Sequence, residues 1–199
     1  MTTVDLAGIV KAQLEDLSQT ATACADMVAE PAGNYARLVL DTFERNGRLL
    51  FCGNGGSAAT VEHIATEYVI RFKRQREPLP AIALTAGSAQ LTAAANDFGY
   101  DNVFTRAVRA FGRPGDLLVL HSTSGESANL LAAAGEAASL RMGTVALLGE
   151  SGGRLAPLVD LPIQVPSADT ARIQEIHLAI EHSVADIVDA HLATGSSLK

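Results

Sequence analysis

The chain has 199 residues, a net charge of −7, a hydrophobic fraction of 48% and an aromatic fraction of 5%. Its length suits one domain, and so large a hydrophobic fraction excludes a disordered chain. The acidic balance argues against nucleic-acid binding, which needs clustered positive charge, and no apolar run approaches the roughly 20 residues that span a bilayer. We therefore expect a single soluble domain over residues 1–199 that binds neither nucleic acid nor membrane and holds any anionic ligand by local contacts.

The first part of the chain is predicted to be an amphipathic helix. Apolar residues recur there at helical spacing: Leu6, Ile9, Val10, Leu14 and Leu17. This stripe can pack on its own subunit or be buried against a neighbouring one. We expect residues 1–30 to form a helical extension used in oligomer packing, followed by a second helix through residues 35–43 that ends near Asn46-Gly47.

Five short apolar runs in the rest of the chain are predicted to be strands. They are residues 48–52, 81–84, 116–120, 144–148 and 161–165. Helical segments separate them, and each run is too uniformly apolar to have a solvated face. We therefore expect an α/β fold in which a parallel sheet is covered by helices on both sides, with a last long helix from about residue 170 to 192.

Two loops that follow predicted strands have the residue types of an anion site. Gly53-Asn54-Gly55-Gly56-Ser57 joins a strand to a helix, where backbone N–H groups and the helix dipole can hold a phosphate. Ser122-Thr123-Ser124-Gly125-Glu126-Ser127 follows another strand and adds hydroxyl groups. Glycines are also ordinary turn residues and serines ordinary helix caps, but two such loops at neighbouring strand ends favour a phosphate pocket.

A second group of polar residues lies on predicted helices. His63 and Glu67 are spaced i and i+4 on one helix face, which suits either metal chelation or a surface ion pair. On the last helix, Gln174 and His182 are separated by about 12 Å of helix rise, so joint binding of one ion would require both side chains to reach toward it. Two histidines without a second candidate ligand are interpreted as structural or solvated: His121 and His191.

The two cysteines predict the compartment. Cys24 and Cys52 do not form a CxxC motif, and no signal-like segment precedes them. This usage is typical of a reducing compartment and gives no disulfide framework. We expect a cytoplasmic protein.

Seven segments, spread over nearly the whole chain, carry a family resemblance. They are Phe51-Cys-Gly-Asn-Gly-Gly-Ser-Ala-Ala, His63-Ile-Ala-Thr-Glu67, Leu79-Pro-Ala-Ile-Ala-Leu-Thr85, Asn96-Asp97, Arg113-Pro-Gly-Asp116, Ser122-Thr-Ser-Gly and Ala171-Arg-Ile-Gln-Glu-Ile-His177. In order and spacing they resemble the phosphoheptose isomerases of the SIS (sugar isomerase) family. The resemblance implies a flavodoxin-like three-layer α/β/α sandwich with a central five-stranded parallel sheet, the SIS domain, plus an N-terminal helix.

The resemblance also implies an activity and a site. The implied enzyme is a homotetramer, with active sites between subunits, that converts sedoheptulose 7-phosphate to D-glycero-D-manno-heptose 7-phosphate through an enediolate. The implied ligands of one zinc ion per subunit are His63, Glu67, Gln174 and His182, and the implied acid/base pair is Glu67 and His182. The residues expected to contact the substrate are Asn54, Gly55, Gly56, Ser57, Glu67, Asn96, Asp97, Ser122, Thr123, Ser124, Ser127 and Gln174. Such a ligand set leaves manganese and iron open beside zinc.

Two alternatives stay open at this point. The chain departs from the family pattern at Thr60, at residues 86–89 and at Glu126, whose carboxylate would repel a phosphate unless it points away. A reshaped pocket would allow a different ketose phosphate. The other alternative is a non-enzymatic SIS scaffold that resembles the replication-initiator-associating proteins. Those relatives tend to lose the metal-ligand set that this chain keeps, so the sequence favours the enzyme.

Overall fold

A computed structural model describes residues 4–194 and contains one sheet of five parallel strands in the order β2-β1-β3-β4-β5. The strands are β1 Leu49–Gly53, β2 Ala81–Ala83, β3 Leu117–Ser122, β4 Gly143–Leu148 and β5 Leu161–Gln164. The helices are α1 Leu6–Glu44, α2 Gly56–Val69, α3 Ser88–Phe98, α4 Val103–Phe111, α5 Ala128–Ser139 and α6 Thr170–Thr194, with short 3-10 turns at Tyr100–Asn102 and Ala156–Leu158. All five predicted strands and the three-layer sandwich are confirmed.

The sheet divides the core into two layers. Alternate residues of a strand point to opposite faces, so Leu49 and Phe51 of β1 pack in the layer that contains α1, α2 and α6. Leu50 and Cys52 pack in the layer that contains α3, α4 and α5. Every residue of β1 and β3 is buried, which explains why their sequences are apolar without alternation.

The N-terminal region differs from the two predicted helical segments, because α1 is one helix of 39 residues with Pro31 inside it. A proline removes one backbone hydrogen bond of a helix, but the buried face continues across it from Cys24 and Val28 to Tyr35 and Val39. Burial of that face explains why the helix does not end at the proline.

The apolar stripe at the start of α1 is largely exposed in this chain. Leu17 packs against the core, whereas Leu6, Ile9, Val10 and Leu14 are 52–71% exposed. The role of residues 1–30 in oligomer packing stays a prediction, and residues 1–3 lie outside the described part of the chain.

No helix within residues 4–194 has both the length and the apolar character that are needed to cross a membrane.

A buried polar network joins β3 to α1 and α6. Glu181 is fully buried on α6, and its carboxylate accepts a hydrogen bond from the Tyr35 hydroxyl. Nε2 of the buried His121 lies 2.7 Å from Glu181 Oε1, which gives this histidine a structural setting. The ring of His177 packs edge-on against His121, and its Nε2 lies 3.2 Å from the Leu148 carbonyl oxygen. The network gives the Glu181 carboxyl group hydrogen-bond partners in the core, where an unpaired polar group would be costly.

His177 predicts a pH dependence of stability. Burial, and then the nearby His121, lower its pKa from 6.5 to about 3. Between these two values the unfolded chain binds more protons than the folded one, so the free energy of unfolding falls as the pH falls. We expect His177→Leu to reduce this loss by up to about 1.4 kcal/mol per pH unit.

Urea unfolding at about pH 7.5 and about pH 5 measures this difference. The substitution leaves the Leu148 carbonyl with the Val165 N–H as a partner, so it creates no unpaired acceptor there. An equal pH slope in parent and variant would contradict the prediction.

Candidate active site

The glycine-rich loop runs from the end of β1 into α2. Gly55 has φ +57°, a conformation that glycine adopts without strain, and a Cβ at Gly53 would lie 3.0 Å from the Ser57 backbone. The loop therefore turns tightly. Ser57 is buried under it, and its backbone N–H donates to the Asn54 carbonyl.

The side chain of Asn54 is held by two residues that the sequence did not single out. Its Oδ1 accepts hydrogen bonds from Asn129 Nδ2 at 2.9 Å and from the Tyr100 hydroxyl at 3.0 Å, and its Nδ2 donates to Asn129 Oδ1 at 3.0 Å. Both lone pairs of Oδ1 are thus used, so Asn54 can offer a ligand only the remaining N–H. Asn129 lies in an alanine-rich helix, where the sequence gives no sign that it contacts a loop 75 residues away.

The serine-rich loop follows β3 and leads into α5. Ser122 Oγ accepts from the Gly125 N–H, and Ser124 Oγ accepts from the Glu126 N–H, so both serines shape the loop. Ser127 is at the N-cap position of α5, and its side chain makes no capping hydrogen bond. The capping alternative is therefore not realised at Ser127, and its hydroxyl can serve a ligand.

A cleft of about 400 Å³ lies beside this loop. It is lined by Thr123, Ser124, Glu126, Glu150, Ser151, Ser167, Ala168, Thr170 and Ile173. The Glu126 carboxylate is paired with Arg154, whose Nε lies 2.6 Å from Oε2 and whose backbone N–H donates to Oε1 at 2.9 Å. These bonds from Arg154 lower the pKa of Glu126. A bound phosphate in this cleft would therefore meet a carboxylate whose charge is balanced by a guanidinium.

Three of the predicted site residues meet where α2 and α6 lie side by side. Nε2 of His63 is 3.0 Å from Nε2 of His182, and it is 3.6 Å from Oε1 of Glu67. At 3.0 Å this is a hydrogen bond in which one ring nitrogen donates and the other accepts. Burial, followed by the proximity of His63, lowers the pKa of His182, which favours the neutral form of His182.

Gln174 meets the glycine-rich loop. A Cβ added at Gly56 would lie 2.6 Å from Gln174 Oε1, so the absence of a side chain at Gly56 lets the amide of Gln174 lie directly against the backbone. The start of α6 therefore contacts the start of α2. Asn96 and Asp97 lie on the exposed side of α3, where Asn96 Nδ2 donates to Asp97 Oδ1 at 2.8 Å.

The donor atoms of the predicted metal ligands can be compared with those of a zinc site. Imidazole nitrogen, carboxylate oxygen and amide oxygen are ligands that zinc accepts, and two nitrogens on one tetrahedral zinc lie about 3.3 Å apart. The His63 and His182 nitrogens are 3.0 Å apart, which is a hydrogen-bond contact. Within residues 4–194 no group of three or more His, Cys, Asp and Glu side chains is arranged to hold a metal ion. The donor types fit a metal, while the rings lie closer together than ligands of one ion would.

The fold defines the class of protein: a doubly wound α/β domain with a glycine-rich and a serine-rich loop after the paired strands β1 and β3, and a His/Glu cluster between α2 and α6. Comparison with known proteins agrees. The family model for the SIS domain matches residues 12–149. A phosphoheptose isomerase of Roseiflexus sp. is 54% identical over 157 residues, which is 79% of this chain and 80% of that protein. One from Methylococcus capsulatus is 45% identical over 184 residues, 91% and 92% of the two chains.

Solved structures give the same result. Phosphoheptose isomerase GmhA from Neisseria gonorrhoeae superposes with a TM-score of 0.88 at 39% identity, and the match covers 93% of this chain and 99% of that one. A phosphoheptose isomerase from Francisella tularensis gives a TM-score of 0.90 at 36% identity, with 94% and 100% covered. The chain belongs to the SIS domain family, in its phosphoheptose isomerase group, as the sequence motifs predicted.

Asn129 provides a test of how the glycine-rich loop is held. Removal of its side chain by Asn129→Ala leaves Asn54 with one partner fewer inside a buried contact, so we expect the free energy of unfolding to fall by about 1–3 kcal/mol. Urea unfolding measures the change. The matched control is Asn102→Ala, because exposed Asn102 donates a single bond to the Phe98 carbonyl. Equal losses in the two variants would contradict a special role for Asn129.

Proposed function

We propose that this chain is an aldose-ketose isomerase that converts sedoheptulose 7-phosphate to D-glycero-D-manno-heptose 7-phosphate. The observation that carries the proposal is the meeting of His63, Glu67 and His182 between α2 and α6, next to a loop pair suited to a phosphate. The phosphoheptose isomerase relatives support the same reaction.

Glu67 and His182 are the proposed acid/base pair. Moving the carbonyl group from C2 to C1 requires a base that takes the proton from C1 and returns it to C2. The Glu67 carboxylate, with a side chain 19% exposed, is the proposed base. His182 is the proposed group that exchanges protons with the substrate oxygens on C1 and C2. Its lowered pKa favours the neutral ring, which has one donor and one acceptor nitrogen.

The two loops are the proposed substrate-binding surface. The hydroxyls of Ser122, Thr123, Ser124 and Ser127, with the start of α5, would hold the phosphate by hydrogen bonds and the helix dipole. Residues of the glycine-rich loop and α2, namely Asn54, Gly55, Gly56, Ser57 and Glu67, together with Asn96, Asp97 and Gln174, would contact the sugar.

One zinc ion per subunit is part of the proposal. Its ligands would be His63, Glu67, Gln174 and His182, and the donor chemistry of these side chains supports it. Such an ion would polarise the carbonyl oxygen and stabilise the negative charge of the enediolate.

A homotetramer in the cytoplasm completes the proposal. What supports an oligomer is the exposed stripe of Leu6, Ile9, Val10 and Leu14 on α1, because a row of exposed apolar side chains on a helix is stabilised when a second surface covers it.

Glu67→Gln tests the isomerase directly. The substitution keeps the size of the side chain but removes the base, so we expect kcat for sedoheptulose 7-phosphate to fall at least about 100-fold. The measurements are turnover and metal content of the purified protein. The matched control is Glu62→Gln, an exposed glutamate on the same helix, which should keep both.

The outcomes separate the alternatives. Metal in the parent without turnover of this substrate points to another ketose phosphate. Absence of both supports the scaffold and overturns the isomerase. Full activity in Glu67→Gln contradicts the role of Glu67 as base.

The substitution Arg154→Ala tests whether Arg154 balances the charge of the Glu126 carboxylate. Arg154→Ala leaves Glu126 as an unbalanced negative charge beside the cleft, so we expect KM for the phosphorylated substrate to rise several-fold, most strongly at low salt. Adding Glu126→Gln in the same chain should restore KM. A KM that does not change in the single variant would place the phosphate elsewhere.

A further inference from the structure

The segment between α2 and β2 contains an aromatic ring that faces the site. We call residues 71–76 the strap. The Phe72 ring stacks on the His182 ring with centroids 5.2 Å apart and planes at 18°. On another side, the His63 ring meets His182 edge-on at 5.3 Å and 81°. The orientation of the His182 imidazole is therefore set by one stacked ring and one perpendicular ring.

The position of Phe72 is restrained, because the residues that follow it are bonded to α6. The backbone N–H groups of Lys73 and Arg74 both donate to Asp189 Oδ2, at 2.8 and 3.0 Å. The side chains of the same two residues pair with Asp186 at 2.7 and 2.6 Å, and the Lys73 ammonium also lies 5.2 Å from the Phe72 ring centre.

Arg76 extends this attachment to α2. Its Nε pairs with Asp189 Oδ1 at 2.6 Å, and the two side chains are 5% and 1% exposed. Its other nitrogens donate to the carbonyl of Glu67 at 2.7 Å and to that of Tyr68 at 2.8 Å. One buried guanidinium thus joins the end of α2, which carries His63 and Glu67, to α6, which carries His182.

We infer that Phe72 is a positioning residue for His182. The strap is attached to α6 through Asp186 and Asp189 and to α2 through Arg76. It holds the Phe72 ring against the imidazole, so that Nε2 of His182 faces His63 and the reacting oxygens of the substrate. This inference rests on the proposed function for its catalytic meaning. Groups that hold a ligand or catalytic side chain in place typically change activity 10–100-fold when they are removed, because small displacements of a reacting group are costly.

The experiment compares three variants of the full chain. Phe72→Leu keeps an apolar side chain but loses the ring, and we expect kcat to fall about 10-fold with KM within about two-fold of the parent. Phe72→Tyr keeps the ring and should have the kcat of the parent. Phe43→Leu is the matched control, because Phe43 is a partly buried phenylalanine whose ring contacts Tyr68 at 5.9 Å, away from His182.

A second readout does not need activity. A stacked phenyl ring shields the carbon-bound protons of His182, so their NMR signals, assigned by their loss in His182→Gln, should move downfield in Phe72→Leu and stay in place in Phe43→Leu. Unchanged signals in Phe72→Leu, or a loss of kcat in Phe43→Leu as large as in Phe72→Leu, would overturn the inference. If the His182 signals move in Phe72→Leu as expected but the parent chain has no turnover, the proposed function is rejected while the stacking of Phe72 on His182 stands.

Discussion

All five strands run parallel, so all five carboxyl ends lie along one edge of the sheet. This constraint brings together loops that are far apart in the chain. The glycine-rich loop after β1 and the serine-rich loop after β3 are neighbours because β1 and β3 are paired from Leu49–Leu117 to Gly53–His121. Helix N-termini follow both loops, and their dipoles favour an anion at that edge. An acidic chain can therefore hold a phosphate without a basic surface.

The sequence predicted the parts of the molecule that depend on local patterns. Uniformly apolar runs identified the strands, because a strand buried on both faces has no polar side. The i, i+4 spacing identified His63 and Glu67 as neighbours, but spacing could not decide whether Gln174 and His182 would reach them. That required the packing of α6 on α2, which brings His182 to His63 and the Gln174 amide to Gly56.

Other contacts were beyond the sequence because they join positions that no short pattern connects. Asn129 contacts Asn54 from 75 residues away in the chain, and Phe72 contacts His182 from a segment with no regular structure. The pairing of Glu126 is another contact that the sequence does not reveal. Its charge is visible in the sequence, but the distant Arg154 that pairs with it is not. The effect of such a carboxylate on a phosphate depends on the partner rather than on the residue itself.

Helix α6 shows how stability and site geometry depend on the same element. Consecutive residues of a helix point about 100° apart, so Glu181 and His182 face different neighbours. Glu181 points into the core, where Tyr35 and His121 lie within hydrogen-bond distance of its carboxyl group. Any rotation of α6 would break those bonds in the interior, where an unpaired polar group is costly. The rotation of the helix is therefore fixed by a residue that cannot touch the substrate, and this rotation directs His182 toward His63.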